Sequence, residues 1–481
     1  MAQVIHPCDN GRSVMKKEEE AYSVSLEKID VLRVFGSLCV VLFHSLLYWA
    51  VLFPLEDAIE LDQHTFVFAQ EMNRHSILKL IAHGNFAVDL FITISGFLAA
   101  WHVQPLFKSP SNNSARFSVI SYLWGRCKRL LVPYFATLVA IHFMLPEQQE
   151  IPERMKASYD VMFSHCQQTM PLSFVLLNNF VGFGGCGVHL WSVAVQMHLF
   201  VIFGVLVKLF APSSSRMIAS SSCVCLLGAA IRVCLSSFIG TAVPLPAFDH
   251  SNLSSRLKDR AFYFYHTLYF ATPSRLCNFF AGVLLASFLQ SSTYREMTAS
   301  RKVRQTVHVL VTAILAAALA AYRALIVSIK YDGMEMSEWN FSNAWAAWVL
   351  HGSPMLSVVF ALVTFLTVTA DRRVKEVSWR SKIAFWVQYL SKCSYGVYLI
   401  HPVIFYWNHR LCGLSHSRGA HLVLLGLAAV KAPPVATHLA LGTKAAAISS
   451  QTSLKNPIKS NNKIFRGTHW IHIRDLVVCP A

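Results

Sequence analysis

The strongest constraint on this chain is the recurrence of apolar runs of about 20 residues, the length an α-helix needs to cross a hydrocarbon core of about 30 Å. Such runs fall at about 31–53, 80–101, 130–145, 188–210, 217–240, 269–290, 305–329, 343–370 and 383–408, with a less regular one at 420–442. Lipid offers no hydrogen-bond partner to an open sheet edge or a loop, so the fold expected is an all-α, polytopic transmembrane bundle of about ten helices. Composition agrees: 54% of the 481 residues are hydrophobic and 14% are charged, against about 25% charged in an ordinary soluble domain. Residues 1–28 hold Lys16, Lys17 and Glu18-Glu19-Glu20 but neither an apolar core nor a small-residue cleavage site. They read as a cytoplasmic segment rather than a cleavable signal peptide, with the first helix serving as the insertion signal.

The formal charge of +17 does not point to nucleic acid, because the basic residues sit in short loops between spans rather than on one folded face. Their distribution gives an orientation instead. The turns on one side carry Lys108, Arg116, Arg126, Lys128 and Arg129, then Arg295, Arg301, Lys302 and Arg304, then Arg372, Arg373 and Lys375. The opposite loops carry Glu56, Asp57, Glu60 and Asp62, and later Asp332, Glu335 and Glu338. The positive-inside rule places both termini in the cytosol. The expected product is a multi-pass integral protein of an endomembrane or the plasma membrane. Its membrane domain covers 29–410, a divergent last helix is possible at 411–442 with Ala-Pro-Pro-Val and Lys431 inside it, and the polar, aperiodic residues 443–481 read as a disordered tail.

Polar groups inside spans cost at least about 2.5 kcal/mol each on insertion scales and therefore face a bundle interior or a wet cavity. In the first span, the eleven-residue step from Arg33 to His44 is close to three turns, so both lie on one face, with Asp30, Ser37 and Val40 near the same line. Arg33 belongs at the cytoplasmic edge and His44 about 16 Å further in. Asp89 shares a face with Phe86, Thr93, Gly96 and Ala100, a stripe of mostly small residues suited to close packing; it can orient His44 or Arg33, or bridge two helices. His189, Ser192 and Gln196 form one face of the fourth span, with His198 on another, and Ser391, Ser394, Tyr398 and His401 form a stripe in the ninth before Pro402. Arg232, Arg275, Arg323 and His351 add expected buried polarity.

Arg126 and Arg129 are three apart at the cytoplasmic start of the third helix, hence neighbours able to grip one phosphate. Taken singly, each residue has a bland reading as well: a snorkelling flank for Arg33, a satisfied core histidine for His44, a topology-setting flank for the arginine pair. The twelve cysteines contain no CxxC pair, so no zinc or redox site is expected and no metal is assigned. Cys166 and Cys186 fall on the same expected outer loop and can pair if that side is oxidising. The sequons at Asn252 and Asn340 also fall on outer loops, and that at Asn112 falls inside.

Taken together the blocks resemble the acyltransferase 3 family of integral membrane O-acyltransferases, which includes the nose-resistant-to-fluoxetine branch. They are Ile29-Asp-Val-Leu-Arg33 with ten residues and then His44; Asn85-Phe-Ala-Val-Asp89 through Ser95-Gly96-Phe97; Arg126-x-x-Arg129-Leu-x-x-Pro133-Tyr134; Leu190-Trp191-Ser192 through Gln196; Thr272-Pro-Ser-Arg275; and Ser394-Tyr395-Gly-Val-Tyr398-Leu-Ile-His401-Pro402. The resemblance implies a ten-helix enzyme moving an acyl group from cytosolic acyl-CoA, acetyl-CoA foremost, to a hydroxyl on a glycan, lipid or other membrane-associated acceptor. It implies catalytic roles for His44, Arg33 and Asp89, acyl-CoA binding by Arg126, Arg129 and Arg33, and a cavity lined by Asp30, Ser192, Gln196, Arg275, Tyr398 and His401. Gln196 departs from the family pattern, which has a carboxylate there. A lipid or small-molecule transporter, or a non-catalytic paralogue, is the other use of the same polar shaft.

Overall fold

The computed structural model describes residues 25–52, 76–103, 117–144, 166–181, 186–210, 214–239, 269–328, 354–369 and 378–412. Among these residues all regular structure is helical. The long helices are α1 (Ile29–Leu52), α2 (Ala87–Val103), α3 (Val119–Met144), α4 (Trp191–Phe210), α5 (Ser214–Ile239), α6 (Leu276–Leu289), α7 (Arg301–Ser328), α8 (Pro354–Thr369) and α9 (Ser378–Cys412). They follow nine of the expected spans in order. The run at 420–442, the tail, the first 24 residues, His351 and the three sequons lie outside the described residues. Of the chain's two units, 1–402 and 403–481, the second is described only at the end of α9.

Five helical segments are long and apolar enough to cross a membrane: Leu26–Leu46, Gly84–Val103, Trp191–Phe210, Thr272–Leu289 and Arg301–Ala324. The others are shorter or more polar, and α3 shows why hydropathy alone shortens them. It begins at Val119, well before the apolar run, because Arg126, Lys128 and Arg129 interrupt the hydropathy while being good helix formers. The helix therefore continues through the basic cluster instead of starting after it.

The bundle is built around α6, which packs against α2, α5 and α8. Phe279, Phe280 and Val283 of α6 and Phe97 and Ala99 of α2 are fully buried. The two helices meet backbone to backbone. A methyl group added at Gly96 would strike the Phe279 carbonyl, and one at Gly282 would strike the Thr93 carbonyl and the Phe97 amide. Small residues at a helix crossing let the backbones approach in this way, which is how apolar helices associate where lipid removes the hydrophobic drive. Around this centre the outward faces are apolar. Val31, Phe35 and Leu38 line one side of α1, and Val309, Leu310, Ile314 and Leu319 are exposed on α7, whose spanning stretch holds no fully buried residue. Such faces belong against acyl chains. Gly282→Ala is expected to destabilise the protein by about 1–3 kcal/mol through overpacking, read as a lowered midpoint of unfolding in mild detergent, whereas Gly125→Ala, where a methyl meets open space, should leave that midpoint the same or slightly higher, since alanine favours the helix.

Candidate active site

The inward face of α1 carries its polar residues, and α9 runs alongside it in the same direction. Ser391 donates to Asp30 Oδ1 at 2.6 Å, Ser37 donates to the Ser394 carbonyl at 3.4 Å, and His44 Nδ1 lies 2.9 Å from His401 Nε2. Residues climb one helix as their partners climb the other, so the pairing is parallel and nearly in register. The stripe expected on α1 is thus real: Val40 and Ser37 are buried, and His44 is half-buried with its ring 4.7 Å from that of His401.

Near the upper end of this ladder α4 contributes a second set. Tyr398 donates its hydroxyl hydrogen to the His189 carbonyl at 3.0 Å, which leaves Ser192 to donate to the Tyr398 oxygen at 2.6 Å. His189 Nε2 lies 2.8 Å from the Leu399 carbonyl, and its ring is 5.8 Å from that of His401. Since a carbonyl only accepts, Nε2 bears the hydrogen and Nδ1 is left as a buried acceptor with no partner among the described residues. Ser192, Tyr398, His401 and His44, expected from the stripes of three different spans, come together here. His189 joins them. Its sequence signal was the face it shares with Ser192, yet a histidine just before a helix reads equally as a flank.

The segment leading to His189 is tied down by a Cys166–Cys186 disulfide, the pairing expected for the outer loop. It links the short helix Cys166–Phe174 to the turn before α4, and Tyr134 of α3 donates to the Ser173 carbonyl of that same helix at 2.8 Å.

Asp89 is elsewhere. Its carboxylate is ion-paired with Arg275 NH1 at 2.5 Å, both side chains almost wholly buried, rather than turned to His44 or Arg33. Arg275 closes the 3₁₀ turn Thr272–Arg275, donates to the Tyr269 carbonyl through Nε and NH2, and lies over the Tyr269 and Trp191 rings. Arg232 of α5 donates to the Ser274 carbonyl at 3.0 Å. This is a structural knot that joins α2, α5 and the entry to α6, so Asp89 and Arg275 leave the site expected for them. Gln196 donates its amide to Ser95 Oγ, a bridge from α4 to α2. A carboxylate could only accept there. Arg323, expected to be buried, is exposed on α7.

The arginines expected to bind phosphate gather at the other end of the ladder. Arg33 is paired with Asp30 at 3.0 Å. Arg129 lies within electrostatic reach of Arg33, Arg126 and Asp30, so three guanidinium groups and the Asp30 carboxylate share one region. Arg126 is half-buried over the Tyr122 and Phe200 rings, at 5.4 and 5.1 Å from their centroids, while Arg129 is exposed. Arg33 therefore stands with the basic pair, three turns of α1 away from His44. Among the described residues no group of three or more His, Cys, Asp or Glu is arranged to hold a metal ion.

Helices long and apolar enough for a membrane, with a histidine cluster at one end of an interhelical ladder and arginines at the other, define a helical membrane protein with a polar interior. The comparisons narrow this to a family: residues 26–433 match the acyltransferase domain of the acyltransferase 3 family, and the chain belongs to it. No curated protein and no solved structure gives a significant match. Breaking the Asp89–Arg275 pair from one side leaves a buried charge, so Asp89→Ala should cost about 3–5 kcal/mol. Removing both charges, Asp89→Leu with Arg275→Met, should recover much of that in the same unfolding measurement.

Proposed function

We propose that this chain is an integral membrane O-acyltransferase that takes an acyl group from cytosolic acyl-CoA, acetyl-CoA foremost, and delivers it to a hydroxyl on a glycan, lipid or other membrane-associated acceptor. The observation that carries the reading is the division of one helix face into two chemistries: Arg33 beside Arg129 and Asp30 at one end, and His44 beside His401 about 16 Å further along α1. CoA divides the same way, with phosphate charge at one end and the thioester at the other. Family membership supports acyl transfer as the reaction.

On this reading Arg33, Arg126 and Arg129 hold the phosphates, since guanidinium groups match phosphate oxygens in charge and in forked geometry. Asp30 keeps Arg33 aimed and leaves the three-to-one excess of positive charge for the ligand. His44 takes the proton of the acceptor hydroxyl as its oxygen attacks the thioester carbonyl; the C–S bond breaks and the departing thiolate takes up that proton. General base catalysis of this kind contributes about 10²–10⁴-fold. Gln196 takes no part in proton transfer, because its amide is engaged with Ser95. The basic end faces the cytosol, in keeping with the positive-inside bias.

His44→Ala at normal abundance should lower transfer of labelled acetyl groups into membrane or secreted acceptors by about 10²-fold or more. The double change Arg126→Ala/Arg129→Ala should weaken acetyl-CoA binding about tenfold or more, each charged hydrogen bond being worth about 1.5–3 kcal/mol. Unchanged incorporation with His44→Ala would refute the reading. Wild-type protein that binds no acyl-CoA would favour transport through the same shaft.

A further inference from the structure

His401 precedes a proline, and that proline removes a donor from the helix. Residue 402 of an α-helix would give its N–H to the carbonyl of residue 398; Pro402 has none. His401 Nδ1 occupies the vacated position, 2.8 Å from the Tyr398 carbonyl and 3.2 Å from that of Val397. Carbonyls only accept, so Nδ1 bears the hydrogen and the neutral ring presents an unprotonated Nε2. That Nε2 is the atom 2.9 Å from His44 Nδ1. His44 Nδ1 also lies 3.1 Å from the Val40 carbonyl, which again requires a hydrogen on Nδ1. Two unrelated carbonyls therefore lead to the same pairing: His44 Nδ1–H donates to His401 Nε2, and His44 Nε2 keeps its lone pair.

We infer that His401, together with Pro402, is a positioning residue that holds His44 in the tautomer whose Nε2 is the base. The inference rests on the acyl-transfer reading above and assigns His401 a part in it. In acyl transfer the hydroxyl O–H bond breaks as Nε2 takes the proton, the oxygen bonds to the thioester carbonyl carbon, the C–S bond breaks, and Nε2 returns the proton to the thiolate. While His44 is an imidazolium, its Nδ1–H points into the lone pair of a neutral imidazole. A carboxylate plays this orienting part in serine hydrolase triads; a neutral histidine does so without placing a permanent negative charge in lipid. Among the described residues, His189 and Tyr398 already give their hydrogens elsewhere, to the Leu399 and His189 carbonyls.

The test uses the full-length protein in lipid nanodiscs, with release of CoA from acetyl-CoA as the rate readout. His401→Leu removes the acceptor and should lower kcat about tenfold to a hundredfold while leaving KM for acetyl-CoA within about threefold, a smaller loss than that of the base itself. His401→Gln, whose amide oxygen reaches the place of Nε2, should restore kcat to within about tenfold of wild type. Pro402→Ala returns an N–H to the Tyr398 carbonyl; it should raise or preserve thermal stability and still lower kcat, a combination that a purely structural role does not give. Wild-type turnover by His401→Leu beside an inactive His44→Ala overturns the inference and leaves acyl transfer standing. If wild-type protein processes no acyl-CoA, acyl transfer fails instead, and the pairing is read from ¹⁵N shifts of histidine-labelled wild-type protein. Hydrogen on Nδ1 of both His44 and His401 supports it, and hydrogen on Nε2 of either overturns it.

Discussion

Hydrocarbon gives a polar group nothing to bond to, and the polar side chains that pair between these helices are arranged in answer to that fact. Two solutions recur. One is a closed knot in which Asp89, Arg275, Arg232 and the carbonyls of Tyr269 and Ser274 satisfy one another at the junction of α2, α5 and α6. The other is a ladder between α1 and α9 whose rungs pass from carboxylate and arginine to serine to histidine. The knot spends its polarity on holding helices together. The ladder leaves some unspent, in the arginine excess at one end and the imidazole lone pairs at the other, and chemistry is available where polarity is unspent.

The same distinction explains how much could be read from the sequence. Helix existence was legible for the nine described long helices, because apolar runs of bilayer length leave few alternatives. Helix ends were not: α3 extends through Arg126, Lys128 and Arg129, residues that hydropathy counts against a span while helix propensity favours them. Faces were legible too. The three-turn step from Arg33 to His44 put both on one stripe, and the stripe of Ser391, Ser394, Tyr398 and His401 proved to be its partner.

Pairing across helices was beyond the sequence. Asp89 was open to orienting His44 or Arg33 or to bridging two helices, and periodicity says which way a side chain points, not which neighbour it meets. It met Arg275, 186 residues away, because the crossing of Gly96 against Gly282 brings α2 and α6 closer than side chains would otherwise allow. Arg323, equally plausible as a buried cation on composition, is exposed on α7, whose spanning stretch holds no fully buried residue. His189 was obscured in a similar way, since its importance comes from where α9 passes and not from its own surroundings in the chain.

The ladder also sets an order of events in biogenesis. His44 enters the membrane with the first helix, but His401, its partner, follows 357 residues later. At synthesis rates of about 5–20 residues per second, α1 waits roughly 20–70 s for the helix that answers its polar face. During that interval Arg33, Ser37 and His44 face lipid, water or whatever assists insertion. A chain truncated before α9 keeps the Asp89–Arg275 knot and loses the rungs, so such a fragment would present an open polar seam of the kind by which cells detect unassembled membrane proteins.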